Sequence, residues 1–254
     1  MGGSVLTEIG DGVAVITINR PEARNAVDLS VAEGLAAAVD ELESRSDAVI
    51  GVITGAGGTF CAGMDLKAFT RGERPSVPGR GFGGITERPP SKPLIAAVEG
   101  WALAGGCELA LACDLVVASR EAKFGIPEVK RGLVAGAGGL LRLPKTLPYQ
   151  LAMELALTGD PLSAEAAHEH GLVNSLTEPG EALQGARALA ARIAVNGPLA
   201  VRATKQIVAG AVSWTDAEAF RWQQEIMAPV MASADAQEGA RAFAEKRAPV
   251  WRGE

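Results

Sequence analysis

The sequence predicts an α/β protein built on parallel strands and closed by a helical C-terminal section. Two patterns carry that prediction. Short apolar runs, each ending in a small-residue turn that opens into a helical pattern, recur through the first part of the chain. Beyond Leu151 the apolar residues fall almost entirely at helical spacing. At 254 residues, 48% hydrophobic and 21% charged, the chain is long enough to bury a large core. Aromatic residues are only 4% while glycine numbers 31, which calls for closely packed small-residue helices and many tight turns.

In chain order, Val13–Ile18 is a strand that runs into the polar loop Asn19-Arg-Pro-Glu-Ala-Arg-Asn25. Ser30 with Glu33 reads as a capping box for a helix carrying Val31, Leu35, Val39 and Leu42 on one face. Ala48–Thr54 is a second strand, broken by Gly55-Ala-Gly-Gly58. That glycine cluster has neither the Lys-Ser/Thr of a phosphate loop nor the spacing of a dinucleotide fingerprint, so it reads as a turn. Residues 70–90, rich in Gly, Pro and Arg, read as a surface loop, either beside a binding site or an inert excursion. Lys92–Val98 and Leu115–Ala118 are further buried strands, and Gly136-Ala-Gly-Gly139 is a second glycine turn, opening into Leu140-Leu-Arg-Leu143. Pro198, Thr215 with Glu218, and Asp235 with Glu238 mark helix starts in the C-terminal section. The division expected is a core over 1–195 and a helical section over 196–254.

The stretch Gly100–Asp114 organises the chemistry. A strand there ends in Gly105-Gly106 and opens a helix, so unpaired N–H groups and the positive end of a helix dipole converge on one spot. Such a spot suits an anion or a developing oxyanion. Glu108, in the first turn, either complements the dipole or works in that site. The chain has only two histidines, His168 and His170, in a short helical pattern closed by Gly171. Two residues apart on a helix they point in different directions and do not chelate one ion. Polar groups near a helix C-terminus are the simpler reading, which leaves acid–base chemistry to carboxylates. Cys61, Cys107 and Cys113 are too few and wrongly spaced for a zinc site or a disulfide framework, so no metal is expected. The opening Met-Gly-Gly-Ser-Val-Leu carries no secretory pattern and lacks the hydroxyl residue of an acylation motif. No apolar run is long enough to span a bilayer, and a net charge of −6 argues against a general nucleic-acid binder. A cytoplasmic protein without membrane or nucleic-acid partners is the expectation.

Five stretches, in order and across essentially the whole chain, resemble the crotonase (enoyl-CoA hydratase/isomerase) family. They are Arg20-Pro-Glu-Ala-Arg-Asn-Ala26, Phe60-Cys-Ala-Gly-Met-Asp-Leu66, Ala97–Ala110 with its Gly-Gly-Cys-Glu, Ala122-Lys-Phe-Gly-Ile-Pro-Glu128 continuing to Gly139, and Ala242-Phe-Ala-Glu-Lys-Arg247. The resemblance implies a spiral of ββα turns with a C-terminal helical section used in trimerisation, as a homotrimer or a dimer of trimers. It implies an acyl-CoA substrate of the kind handled in fatty-acid β-oxidation, with no cofactor beyond the coenzyme A of the substrate. By motif, the oxyanion is held by the backbone N–H groups of Met64 and Gly105. Glu108 activates the water that adds to the β-carbon of a trans-2-enoyl thioester, and Glu128 protonates the α-carbon. Contacts to coenzyme A and the acyl group fall on Ala23, Arg24, Ala26, Ala62, Asp65, Leu66, Lys67, Gly106 and Pro127. Phe243 and Lys246 reach the nucleotide of a neighbouring subunit.

Three positions depart from the family pattern: Ala104 where a glycine is frequent, Glu99 where asparagine is common, and Ala135 where proline precedes the second glycine turn. They bear on pocket shape rather than on a catalytic group. The leading expectation is an enoyl-CoA hydratase. The alternatives are a family isomerase in which only Glu128 is essential, and a non-catalytic acyl-CoA-binding relative.

Overall fold

The computed structural model describes residues 3–254, so the first two residues of the opening segment lie outside it. The chain begins with a hairpin, β1 (Val5–Gly10) and β2 (Gly12–Ile18), then helix α1 (Leu29–Ser44) and strand β3 (Ala48–Gly55). A short helix α2 (Leu66–Thr70) and a two-residue-per-strand hairpin, β4 (Ser76–Val77) and β5 (Gly81–Phe82), follow. Next come β6 (Leu94–Val98), β7 (Trp101–Leu103), α3 (Gly105–Ala112), β8 (Leu115–Ser119) and β9 (Lys123–Gly125). The chain continues through α4 (Gly139–Thr146), α5 (Tyr149–Thr158), β10 (Leu162–Ser163), α6 (Ala164–Glu169) and β11 (Ser175–Thr177). Four helices finish it: α7 (Ala182–Ala194), α8 (Pro198–Ala211), α9 (Asp216–Met231) and α10 (Ala234–Glu245).

Six strands form the main sheet in the order β1-β2-β3-β6-β8-β11, with every neighbouring pair after the first hairpin parallel. Both faces of that sheet are covered, which is why its central strands read as unbroken apolar runs. Alternate residues separate the two sides. Ile16, Ile53, Ala96 and Ala118 face the larger core with α1 and α3, while Val15, Val52, Ile95 and Val117 face Ala186 and Ala190 of α7. After β6 and again after β8 the chain steps out of the main sheet into a second one, ordered β10-β9-β7. The edge of this step, at the C-terminal ends of the parallel strands, is where helix starts and glycine turns collect.

The capping box expected at Ser30 and Glu33 is displaced by two residues. Asp28 is the N-cap of α1, accepting from the Val31 N–H at 3.0 Å, while the Ser30 hydroxyl bonds to that of Ser4. Loop 70–90 is more ordered than its composition implies, since it holds the β4–β5 hairpin. Beyond Leu151 the chain is nearly all helix, broken by two short strands: β11 is an edge of the main sheet and β10 an edge of the second. Helix α10 is capped by Ser233, whose hydroxyl accepts from the Ala236 N–H. Asp235 instead receives the Arg252 and Gly253 N–H groups at 2.7 and 2.9 Å, and Glu238 pairs with Arg247, so both tie down the chain end. Thr215 does precede α9, but its hydroxyl bonds to Glu218 and caps no backbone group.

If Asp28 is the working cap, Asp28→Ala should cost about 1–2 kcal/mol in denaturant unfolding. Ser30→Ala, losing an exposed hydroxyl pair, should cost no more than a few tenths, about the size usual for surface changes. Equal losses would restore the capping box.

Candidate active site

Two short stretches, one of them carrying β7, create the site. Residues 60–64 lie alongside 99–103: Phe60 donates to the Glu99 carbonyl, Cys61 to the Trp101 carbonyl at 2.9 Å, and Leu103 back to the Cys61 carbonyl at 3.0 Å. On its other side the same stretch meets Val27, which donates to the Gly63 carbonyl and accepts from the Asp65 N–H. In that parallel bridge the groups flanking Met64 are spent, and the Met64 N–H points the other way. Gly105 is the first residue of α3, so its N–H has no partner within the helix. Among the described residues neither N–H meets a protein acceptor, and both residues line one cavity of about 370 Å³ together with Glu108 and Glu128.

Close approach explains the small residues here. A Cβ on Gly106 would stand 2.1 Å from the Cys61 carbonyl oxygen, so only glycine lets the two stretches meet. Gly106 therefore packs its Cα side against the Cys61 backbone, directly behind the cavity-lining Gly105. Ala104, the N-cap of α3, takes φ 53° and ψ −129°, a conformation glycine holds without strain. The departure from glycine at this position thus stores backbone strain next to Gly105.

Glu108 is 3% exposed. Its Oε1 accepts the Ala137 N–H at 2.7 Å and the Gly139 N–H at 2.9 Å, so the second glycine turn wraps the carboxylate and leaves Oε2 without a protein donor. Burial pushes its carboxyl above the ordinary glutamate value, against the two N–H groups and the charge of Arg142, which pull it down. Glu128 stands on a 3-10 turn, Pro127–Arg131, and its Oε2 is buried with no hydrogen-bond partner. Burial also raises this carboxyl, reinforced by the charge of Glu108 and opposed by the turn's own N–H and Arg131.

Of the other residues singled out in the sequence, Ala62, Leu66 and Pro127 line the cavity. Ala23, Arg24 and Ala26 do not; they build the first loop, where Arg24 is left-handed and its carbonyl accepts the Ala62 N–H. The Asp65 side chain is occupied structurally, capping α2 through Lys67 and Ala68 and pairing with Arg20 at 3.0 Å. Lys67 is exposed on α2. Phe243, 87% exposed, and Lys246 lie on the end of α10 and do not line the cavity of their own chain. His168 bonds through Nδ1 to the Val173 carbonyl, a helix-end role, and no metal-binding group occurs among the described residues. Glu99 faces away from the site and accepts the Ala182 N–H at the start of α7. Ala135 is buried in the core.

Sequence reasoning missed Asn25, which is fully buried and fixes the first loop to the Ala56 and Thr59 carbonyls. It also missed Arg142, Arg131 and Glu87. Asn25 and Arg131 stood in quoted motifs without a role of their own, while Arg142 on α4 and Glu87 in the loop after β5 are brought to the site by the fold.

A carboxyl raised in the folded state favours folding in its neutral form. That contribution is full below the unfolded value, about pH 4.3, and is lost as pH rises through the folded one. Glu108→Gln, which stays neutral and keeps an oxygen for the two N–H groups, should therefore be more stable than the parent at pH 8, with the difference closing at pH 4. Thermal melts at both pH values check this, and a variant less stable at pH 8 would contradict it.

Residues 8–254 match the family model described as enoyl-CoA hydratase/isomerase. The chain is 42% identical to enoyl-CoA hydratase EchA19 of Mycobacterium tuberculosis, covering 98% of this chain and 96% of that protein. It is likewise 42% identical to the carnitinyl-CoA dehydratase of Salmonella typhi, over 94% of each. Its fold superposes on the crystal structure of an enoyl-CoA hydratase from Mycobacterium tuberculosis with a TM-score of 0.98 at 61% identity, covering all of both chains. With a crotonase fold whose cavity joins two glutamates to two unspent backbone N–H groups, this chain belongs to the enoyl-CoA hydratase/isomerase family.

Proposed function

We propose that the protein hydrates trans-2-enoyl-CoA thioesters to 3-hydroxyacyl-CoA. The observation that carries this reading is one cavity lined by two raised carboxyls and two free N–H groups. The thioester oxygen sits between the Met64 and Gly105 N–H groups, where the dipole of α3 also favours negative charge. Glu108, held by the turn at 137–139, takes a proton from water as the water oxygen bonds to the β-carbon. The π electrons of the double bond move toward the thioester oxygen, and Glu128 then gives its proton to the α-carbon. Proton return from Glu108 to Glu128 through solvent completes the addition of one H2O. Two neighbouring carboxyls, one tied by two N–H donors and one with an unpartnered buried oxygen, divide base and acid in this way.

The remaining parts of the reading rest on surface and motif. Helices α8 and α9 contain no buried residue, and Phe220 and Met231 are exposed at 74% and 67%. An apolar section of this kind, 196–254, serves as the surface on which copies of the chain assemble as a trimer or a dimer of trimers. Phe243 and Lys246 then meet the nucleotide bound by a neighbour, and Ala23, Arg24, Ala26 and Lys67 border the coenzyme on its own subunit. The reaction needs no metal or redox cofactor, and the enzyme works in the cytoplasm, where acyl-CoA thioesters are available. No helix among the described residues is long and apolar enough to cross a membrane.

Loss of enoyl-thioester ultraviolet absorbance across a panel of trans-2-enoyl-CoAs tests the reading. Saturable loss with a 3-hydroxyacyl product is expected. Glu108→Gln and Glu128→Gln should each lower kcat by about 10²–10⁴-fold, the span typical of removing a positioned acid or base. Double-bond migration in place of a 3-hydroxyacyl product, abolished by Glu128→Gln but not by Glu108→Gln, would move the assignment to an isomerase. Thioester binding without turnover of any panel member would move it to a binding protein.

A further inference from the structure

Each glutamate of the site has its own arginine, and the two arginines are held differently. Arg142, on α4, acts on Glu108 and is fixed by the carbonyls of Thr86 at 2.5 Å and Ala137 at 3.4 Å. Arg131 acts on Glu128 from the same 3-10 turn, Pro127–Arg131. Side chains three residues apart on a 3-10 turn eclipse one another, so residues 128 and 131 project from one side. Both line the active-site cavity. Arg131 has no hydrogen-bond or ion-pair partner among the described residues, whereas its neighbour Lys130 is committed to Asp160. Gly132 closes the turn in the left-handed conformation, its N–H bonded to the Val129 carbonyl at 3.2 Å, so the backbone that presents the pair is fixed.

The surroundings of Glu128 leave Arg131 no rival. From α3 it meets Glu108 and Cys107; from the loop after β5, Glu87 lines the same cavity. From α5, Tyr149 lines an adjoining apolar cavity of about 420 Å³ in which Glu128 forms part of the wall. Among the residues lining these two cavities, Arg131 is the one cation.

We propose that Arg131 is a positioning residue for Glu128, presenting the one cation of the cavity wall from the same turn as the acid. Burial raises the Glu128 carboxyl and the Glu108 charge adds to that; an opposing cation on the same wall pulls it back down. The inference rests on the hydratase reading for its role in turnover, but not for the coupling itself.

Two measurements separate these levels. Carboxyl carbon NMR of protein labelled at glutamate, with the Glu128 signal identified by its loss in Glu128→Gln, follows the titration directly. Arg131→Leu should move the Glu128 midpoint up by about half to one pH unit, a shift suited to an opposite charge not in direct contact, and Arg131→Lys should restore it. In the hydration assay, the alkaline limb of the kcat/KM profile, which reports the acid, should move up with it while the acidic limb stays. A Glu128 midpoint unchanged in Arg131→Leu overturns the proposal whatever the activity. So does an equal shift of both limbs. A moved midpoint in a protein that hydrates no enoyl-CoA leaves the coupling standing and overturns only the hydratase reading.

Discussion

The site depends on one close approach: the stretch 60–64 lying against 99–103, with Gly106 under the Cys61 carbonyl. Both oxyanion donors follow from it. The bridge to Val27 turns the Met64 N–H outward on one stretch, and the start of α3 leaves the Gly105 N–H free on the other. Neither donor is a side chain, so the arrangement is set by what backbone can pack against backbone. A single methyl at position 106 would stand 2.1 Å from the Cys61 carbonyl oxygen and force apart the stretches that three hydrogen bonds hold together. Ala104 shows how tightly the place is specified, since even a strained alanine is held there by the hydrogen bond from its N–H to the Gly125 carbonyl.

A second constraint joins the halves of the site. Glu108 comes from α3 and is buried, a costly place for a carboxylate unless it is hydrogen-bonded. The turn at 137–139 supplies the two N–H groups, and Gly139 leaves room where a Cβ would press on the Glu108 side chain at 3.0 Å. The turn that carries Glu128 lies only a few residues before it. The distance between the two carboxyls is therefore governed by the same packing that solvates one of them. Raised carboxyls that oppose folding at neutral pH are the thermodynamic cost of that arrangement.

What could be read from the sequence was whatever local chemistry determines. The parallel strands were legible because both faces of the main sheet are buried, which leaves continuous apolar runs at Ala48–Thr54 and Leu94–Val98. The helix start at Gly105 and the glutamate at 108 were legible from one turn of sequence, and their pairing with Met64 and Glu128 came through the family resemblance. Elements decided by distant partners were not legible. Strand β11 is three residues long and exists because β8 offers an edge. Asp235 looked like part of a capping box, but the folded chain brings Arg252 and Gly253 to it. Ser30 lost the cap to Asp28 because Asp28 also pairs with Arg20, which in turn holds Asp65. Glu99, a departure expected to bear on pocket shape, instead caps a helix more than eighty residues away.

The central claim is that the Met64 and Gly105 N–H groups polarise a bound thioester. Its most direct test is the infrared carbonyl stretch of a carbon-13-labelled, unreactive acyl-CoA bound to the protein. Two hydrogen bonds in a water-poor cavity should lower that stretch below its value in water, and Gly106→Ala, by parting the two stretches, should return it toward the aqueous value. A bound thioester whose stretch matches free solution, or one unaffected by Gly106→Ala in a folded protein, would contradict the account.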